Sequence, residues 1–364
     1  MKKILRKVIP SVVLVSMRKK QLRMTRLLIS WCSTNKKLSS LYYLFSGGFS
    51  REHQSVLQGR IAYHASLDSI TDSFTLLRRN THRLEKGLIM RPRRRLFAEG
   101  FILETVQAYR DAIILNSINQ SEIKWATDVL DEYFTVVSFS QVISKARDIY
   151  TKSRRVGEIE IHELGLPCVD GKYKPYKYTE IIESKVTFDS IKKLFAQRRS
   201  VRWYEEKKVS LELVQQAADI ASLAPSACNR QPYRFVFCNT RDKAIEIAKC
   251  AGGTRGFAEN IPAIIAIVGD LSAYPFDKDR HLIYIDGSLA AMQLMLALET
   301  LGLSSCSINW PEDEYSERRI RKIIELKDYE RVVMLLTVGY ADHTGGIPYS
   351  QKKTKDLILK DISS

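Results

Sequence analysis

The stretch RRSVRWYEEKKVSLELVQQAADIASLAPSACNRQPYRF (residues 198–235) determines the predicted fold of the second half of the chain. It begins with three arginines around one serine, and clustered like charges repel one another unless an anion or solvent compensates them. SLELVQQAADIASL (210–223) has the apolar spacing of an amphipathic helix, with Ser210 as a candidate N-cap. The remainder is a polar, turn-rich segment that leads into a short strand.

Apolar runs on the C-terminal side extend this pattern. DGSLAAMQLMLALETLG (286–302) predicts a strongly apolar helix, with Asp286 as a possible cap and Gly302 at its end. Three runs have the length and composition of strands: YRFVFC (233–238), AIIAIVG (263–269) and RVVMLLTVGY (331–340). The sequence therefore predicts a mixed α/β or α+β domain with both sheet faces covered.

The N-terminal half has a different organisation. Residues 1–60 are basic and weakly patterned, whereas residues 68–152 carry apolar side chains at helical spacing. VDGKYKPYKYTE (169–180) lacks periodicity and is interpreted as a linker. We expect three regions: a weakly structured segment over 1–60, a helical region with its linker over 61–180, and a folded domain over 181–364.

Charge is distributed unevenly along the 364 residues. The first 100 residues hold 21 Lys and Arg against 5 Asp and Glu, whereas the remaining 264 hold 36 of each. This basic segment shows no zinc-finger or RNP-type pattern, so we expect no sequence-specific nucleic-acid binding. Peripheral contact of residues 1–100 with an anionic membrane or another polyanion remains open.

Cysteine usage and targeting signals indicate a cytoplasmic protein. The six cysteines form no CxxC pair, which favours reduced thiols over disulfides or a metal site. VIPSVVLVSM (8–17) resembles the start of a signal peptide but lacks a convincing small-residue cleavage site. No uninterrupted apolar run reaches about 18 residues, so no membrane-spanning helix is expected.

Four short motifs in the second half suit an anionic heteroaromatic ligand. RRSVR (198–202) and the lysines of SQKKTKDLI (350–358) suit a phosphate, and the amides of APSACNRQPYRF (224–235) suit the edge of a ring. The small residues of LGLSSCSI (301–308) allow close approach of backbone N–H groups. Taken singly, each motif also fits a solvated turn, an ordinary loop, a helix C-cap or a solvated tail.

In this order, the four motifs resemble the nitroreductase family of FMN-dependent oxidoreductases over residues 188–360. The resemblance implies an α+β fold with a mixed sheet flanked by helices, preceded here by a mainly helical region. It also implies a homodimer that binds two FMN molecules at the subunit interface, with residues from both chains at each site. The flavin carries the chemistry, so no catalytic side chain is assigned, and we find no convincing Ser/His/Asp triad.

The resemblance assigns the cofactor-binding residues by motif. By this assignment, RRSVR would hold the FMN phosphate, ribityl chain and ring edge, and APSACNRQPYRF would line the ring, often from the partner subunit. Backbone N–H groups of LGLSSCSI would face the reactive side of the flavin near N5. The lysines of SQKKTKDLI would contact the phosphate. The residues are Arg198, Arg199, Ser200 and Arg202; Pro225, Ser226, Asn229 and Gln231, with Pro232 completing the motif; Leu303 and Ser304; and Lys352 and Lys353.

The chain departs from the family pattern at three places. Ser304 stands where many relatives have a second glycine, and Tyr233 stands where tryptophan is common. Lys352 and Lys353 replace an arginine, which removes a bidentate contact. Upstream, THRLEKGLIMRPRRRLF (81–97) resembles a segment of bacterial nitroreductases associated with polysaccharide-biosynthesis clusters.

The sequence therefore predicts an enzyme in which FMN takes a hydride from NADH or NADPH and reduces a small organic acceptor. Nitro compounds and quinones are the expected acceptors in vitro. The alternative is a flavin-binding dimeric scaffold whose basic N-terminal region binds a polyanion or a membrane surface.

Overall fold

The computed structural model describes residues 11–68, 75–115, 119–154, 166, 168 and 170–363. The chain divides into two compact units, with the boundary between Gln54 and Ser55. This division does not test the predicted boundary near residue 180, which stays a prediction.

The first unit is helical over its described residues. It contains α1 (Ser11–Cys32), α2 (Lys36–Ser46) and the first residues of α3 (Ser50–Asp68). The Asn35 side chain caps α2 by accepting from the Lys37 N–H at 2.8 Å, and Gly47 ends the helix at φ 66°. Over residues 11–60 the chain is thus mostly helical where weak structure was expected, with apolar side chains that remain largely exposed, and residues 1–10 of that expected segment lie outside the described residues.

The second unit begins with helices that share one apolar core. Their bounds are Ser50–Asp68 for α3, Thr75–Leu88 for α4, Ile102–Leu115 for α5, Gln120–Val136 for α6 and Gln141–Ser153 for α7. On α5, Ile102, Val106 and Tyr109 recur at spacings of four and three residues and are fully buried. The predicted helical pattern of residues 68–152 is confirmed over the described part of that range.

A four-stranded antiparallel sheet forms the centre of the remaining chain. Its strands are β1 (Tyr233–Cys238), β2 (Ala263–Asp270), β3 (Ser304–Asn309) and β4 (Glu330–Gly339), in the spatial order β1-β2-β4-β3. Three of the four strands were predicted. β3 was not, because its sequence SSCSIN lacks the apolar run that marks the others.

Six further helices follow in this part of the chain: α8 (Phe188–Gln197), α9 (Leu211–Ala221), α10 (Arg241–Ala248), α11 (Leu282–Thr300), α12 (Glu314–Ile320) and α13 (Lys355–Ile358). Helices α9 to α12 cover the two faces of the sheet, whereas α8 and α13 have no buried residue. Alternate β2 side chains enter different cores: Ile265 packs with α9 and α11, whereas Ile264 packs with α10 and α12. The predicted α+β fold class, with a helical N-terminal region, is confirmed, whereas the sheet is antiparallel in its three described strand pairs and not mixed as expected.

Helix α11 differs from its prediction at the N-terminus. It begins at Leu282, so Asp286 lies inside the helix and is not a cap. The buried Asp286 carboxylate instead accepts from the Ala227 N–H at 2.9 Å. At the other end Gly302 adopts φ 78° just after the helix, as predicted.

Half of α11 faces the core, and its opposite side is apolar and exposed. Ile285, Leu289 and Met292 follow one another at helical spacing on that side. The stretch Asp277–Thr300 is long and apolar enough to span a membrane, and half of its apolar window is buried inside the protein. Such burial is typical of a core helix.

The RRSVR segment is attached to the sheet through Tyr204. The buried Tyr204 hydroxyl donates to the Val201 carbonyl at 2.7 Å and lies 2.7 Å from Thr337 Oγ1 of β4. The Asn260 amide bonds both the N–H and the carbonyl of Tyr204, at 2.6 and 3.1 Å. A Cβ at Gly339 would lie 2.6 Å from the Tyr204 ring, so this close packing requires glycine at that position.

We predict that Tyr204→Phe destabilises the fold by about 1–3 kcal/mol, because it removes a buried donor and leaves the Val201 carbonyl unpaired. Chemical denaturation followed by circular dichroism measures the change. Tyr178→Phe is the matched control, since Tyr178 is 87% exposed, and it should leave the midpoint unchanged. Equal midpoints for both variants would show that the Tyr204 hydroxyl does not secure the segment.

Candidate functional site

The arginine cluster leaves helix α8 and runs beside the start of β3. The Arg198 N–H closes the helix on the Leu194 carbonyl at 3.0 Å. Ser200 then forms a parallel bridge with Ser305, and the Val201 N–H donates to the Ser305 carbonyl at 3.1 Å. The structure therefore brings the RRSVR motif next to the LGLSSCSI motif, which lies about 100 residues away in sequence.

The three arginines have different partners. Arg199 Nη2 donates to the carbonyls of Pro348, at 2.7 Å, and Tyr349. Arg202 Nη1 donates to the Ser200 carbonyl at 3.2 Å. Arg198 Nε is buried and has no hydrogen-bond partner among the described residues. The half-buried Arg198 side chain has no hydrogen bond or ion pair among the described residues, so of the three arginines it has the most donors available to an anion.

Two of the arginines also act on the Cys306 thiol of β3. Burial raises the pKa of Cys306, whereas the charges of Arg202 and Arg198 and a hydrogen bond with Ser200 partly offset this effect. Both guanidinium groups therefore lie close enough to influence one buried point at the edge of the sheet. This local excess of positive charge suits an anionic ligand.

The third motif supplies fewer donors than predicted. The Leu303 N–H donates to the Leu298 carbonyl at 2.9 Å, and the Leu303 side chain is fully buried. This bond closes the turn at Gly302, so the expected role of Leu303 as a backbone donor to a ligand does not fit the structure. Ser304 is half-buried at the first position of β3 and remains the candidate there.

The segment 224–232 has an unusual backbone conformation. Cys228, Asn229 and Gln231 adopt φ of 54°, 51° and 50°, in the left-handed region that favours glycine. Ser226 Oγ accepts from the Gln231 N–H at 2.7 Å, which closes the segment on itself. The Asn229 side-chain amide makes no hydrogen bond within the described residues, and it is therefore the amide that a ligand could use.

The Gln231 amide is already paired at both ends. Its Nε2 donates to the Ser222 carbonyl at 2.6 Å, and its Oε1 accepts from Arg78 Nη2 at 2.7 Å. Gln231 therefore helps to hold the segment in place, and its use for reading a ring edge stays a prediction. Arg78 was not predicted as a site residue, since no local motif signals a contact between residues 153 positions apart.

Pro225 and Pro232 lie near the two ends of the segment 224–232. No hydrogen bond or ion pair joins this segment to residues 198–202 within the described chain. The two motifs therefore occupy separately held parts of the second unit.

Near the C-terminal end of the described chain, Lys352 and Lys353 are exposed and follow Pro348 and Tyr349, whose carbonyls accept from Arg199. Across the described ranges, no group of three or more His, Cys, Asp or Glu side chains could hold a metal ion.

Comparison with known families agrees with this arrangement of motifs. The model of the nitroreductase family matches residues 195–252 and 246–340. Residues 195–340 are thus similar to the nitroreductase family. The match includes the arginine cluster, the segment 224–232 and the four described strands. Residues 1–194 lie outside the match.

Two proteins that are similar to this chain have different names. A protein of Archaeoglobus fulgidus, provisionally named NADH dehydrogenase/NAD(P)H nitroreductase, is 29% identical over 41% of this chain and 83% of its own length. The iodotyrosine deiodinase of Thermotoga neapolitana is 28% identical over 43% of this chain and 90% of its own length. Both are similar to this chain over less than half of its length.

Two solved structures align with slightly less than half of this chain. An FMN-dependent nitroreductase from Clostridium difficile R20291 aligns with a TM-score of 0.40 and 24% identity, over 46% of this chain and 97% of that chain. A nitroreductase family protein from Streptococcus pneumoniae TIGR4 aligns with a TM-score of 0.41 and 25% identity, over 47% and 99%.

Proposed function

We propose that the protein is an FMN-dependent oxidoreductase that uses NADH or NADPH to reduce a small organic acceptor. The observation that carries this proposal is the half-buried Arg198 side chain, which has no hydrogen bond or ion pair among the described residues and lies beside Arg202 and the start of β3, within the region that matches the nitroreductase family. A guanidinium group without a carboxylate partner fits the phosphate or the electron-rich ring of FMN.

The residues present divide the work of holding this cofactor. Arg198 would bind an anionic group through its terminal guanidinium nitrogens, and Arg202 would place positive charge near the ring edge. Arg199 would act indirectly, because it fixes the backbone of Pro348 and Tyr349 and thereby the approach of Lys352 and Lys353. Bound FMN would supply hydride transfer, and the protein would orient it and tune its charge.

The proposal includes a homodimer. Ile285, Leu289 and Met292 form an exposed apolar row on α11 that a second copy would bury. Pro225, Ser226 and Asn229 would then line the ring bound by the partner subunit, which agrees with the absence of bonds to residues 198–202 over the described chain. A link to polysaccharide biosynthesis remains a prediction based on residues 81–97 alone.

We predict that the purified protein binds FMN at about one per chain and that NADH or NADPH bleaches its colour under anaerobic conditions. Absorbance of the released flavin gives the stoichiometry, and anaerobic titration with each nicotinamide identifies the donor. A screen of quinones and nitro compounds then tests the acceptor. Protein that is colourless and does not bind added FMN would contradict the proposed function.

We predict that Arg198→Ala mainly weakens FMN binding, whereas Arg202→Ala lowers the midpoint potential of the flavin and slows its reduction. Each charge-assisted contact corresponds to about a ten- to hundredfold change in the affected quantity. FMN dissociation constants and potentials of both variants are compared with Arg318→Ala, a control on the exposed face of α12. If Arg202→Ala releases FMN but leaves the potential of the remaining bound flavin unchanged, this division of roles is wrong.

The first unit supports a second proposal, that α1 contacts an anionic membrane surface. Met17, Met24, Leu28 and Trp31 lie on one face of α1 at helical spacing, and each is about half exposed or more. Exposed basic residues, namely Lys19, Arg23 and Arg26, lie mostly on the opposite face. An apolar face opposite a basic face is typical of interfacial helices, and the apolar row favours lipid over a soluble polyanion.

We predict that the full-length protein floats with vesicles that contain phosphatidylglycerol and not with pure phosphatidylcholine vesicles. Replacing Arg23 and Arg26 by Ala should weaken binding by about tenfold or more, since each basic residue near an anionic surface contributes about 1 kcal/mol. The double variant Lys192→Ala and Lys193→Ala, on α8, is the charge-matched control. Equal binding to both lipid compositions would exclude the charge-dependent contact.

A further inference from the structure

The strained segment around Asn229 needs support from its surroundings. Three non-glycine residues within four positions, Cys228, Asn229 and Gln231, adopt a positive φ. L-residues adopt this conformation only where other interactions hold it, and such strain concentrates at functional sites. The contacts that hold this segment therefore also fix where the free Asn229 amide lies.

Contacts from the sheet domain hold only part of the segment. Asp286 accepts from the Ala227 N–H, and the Ser222 carbonyl accepts from Gln231 Nε2 at 2.6 Å. Asp286 and Ser222 leave two acceptors of the segment without a partner from the sheet domain, namely the Asn229 carbonyl and Gln231 Oε1. Both are bound by one side chain, because Arg78 Nε donates to the first at 3.2 Å and Nη2 donates to the second at 2.7 Å.

Arg78 is itself fixed within the helical region. It lies on α4, and its third nitrogen, Nη1, donates to the Glu122 carboxylate of α6. Its guanidinium group lies 5.7 Å from the centroid of the Trp125 ring, and its side chain is only 17% exposed. A planar guanidinium can bind three acceptors in different directions at once, which a lysine ammonium on a flexible stem does less well.

We propose that Arg78 is a positioning residue of the flavin site, which it affects through the segment 226–231. The helical region that carries Arg78 lies outside the nitroreductase match, so the cofactor site of this protein includes a part that the family domain does not supply. The inference rests on the proposed function, since Ser226 and Asn229 matter to a cofactor only if the protein binds one.

The test compares two neighbouring arginines in the full-length, FMN-loaded protein. Arg79 is the matched control, because it lies on the same helix, is 16% exposed, and bonds Tyr63 and Asn80 instead of the segment. Visible circular dichroism of the bound flavin, its midpoint potential and its dissociation constant are measured for Arg78→Ala and Arg79→Ala. Thermal unfolding of both variants reports any general loss of stability.

We expect Arg78→Ala to change the flavin dichroism and to raise the dissociation constant about tenfold, with Arg79→Ala like the wild type in both. Arg78→Lys should give an intermediate dichroism, and it decides the question if Arg78→Ala does not fold. Identical flavin properties in the Arg78 and Arg79 variants, or a wild-type dichroism and affinity in Arg78→Lys, would overturn the proposal while the proposed function stands. Wild-type protein that binds no FMN would instead refute the proposed function, and the inference with it.

Discussion

The antiparallel pairing of β2 with β4 is the interaction on which the rest of the second unit depends. Ala263 pairs with Val338 and Asp270 with Glu330, and both strands are buried almost throughout. Strands covered on both faces have strongly specified register, because a slip of one residue would exchange the two cores. This register fixes Thr337 and Gly339, against which Tyr204 packs, and so it places the arginine cluster at the edge beside β3.

The sequence alone predicted the elements whose signal is local. β1, β2 and β4 were found to within one residue at each end, because each is a continuous apolar run between turn residues. β3 was missed because its serines and Asn309 interrupt the apolar run that predicts a strand. This strand pairs with β4 mainly through its backbone. Asp286 was mistaken for a cap because a carboxylate near a helix start suggests one, whereas its partner, Ala227, lies 59 residues away.

The candidate site was predictable as a set of motifs but not as a set of contacts. The residue types of RRSVR and APSACNRQPYRF indicate an anionic, ring-containing ligand, and both motifs lie within the region that matches the nitroreductase family. The sequence could not show that Gln231 and the Leu303 N–H already have partners, since those bonds depend on tertiary packing. Nor could it show Arg78, whose contacts cross from a helical region to a loop of the sheet domain.

Arg78 and Arg198 differ in the hydrogen-bond partners that they already have. This difference distinguishes a structural role from a ligand-binding role. Arg78 donates from all three nitrogens to a carboxylate, a carbonyl and an amide, so it has little capacity left for a ligand and its charge is compensated by Glu122. Arg198 is half-buried, and its side chain has no hydrogen bond or ion pair in the described chain. Its terminal nitrogens are therefore available to an anionic ligand. The same residue type thus completes the scaffold at one position and leaves binding capacity at the other.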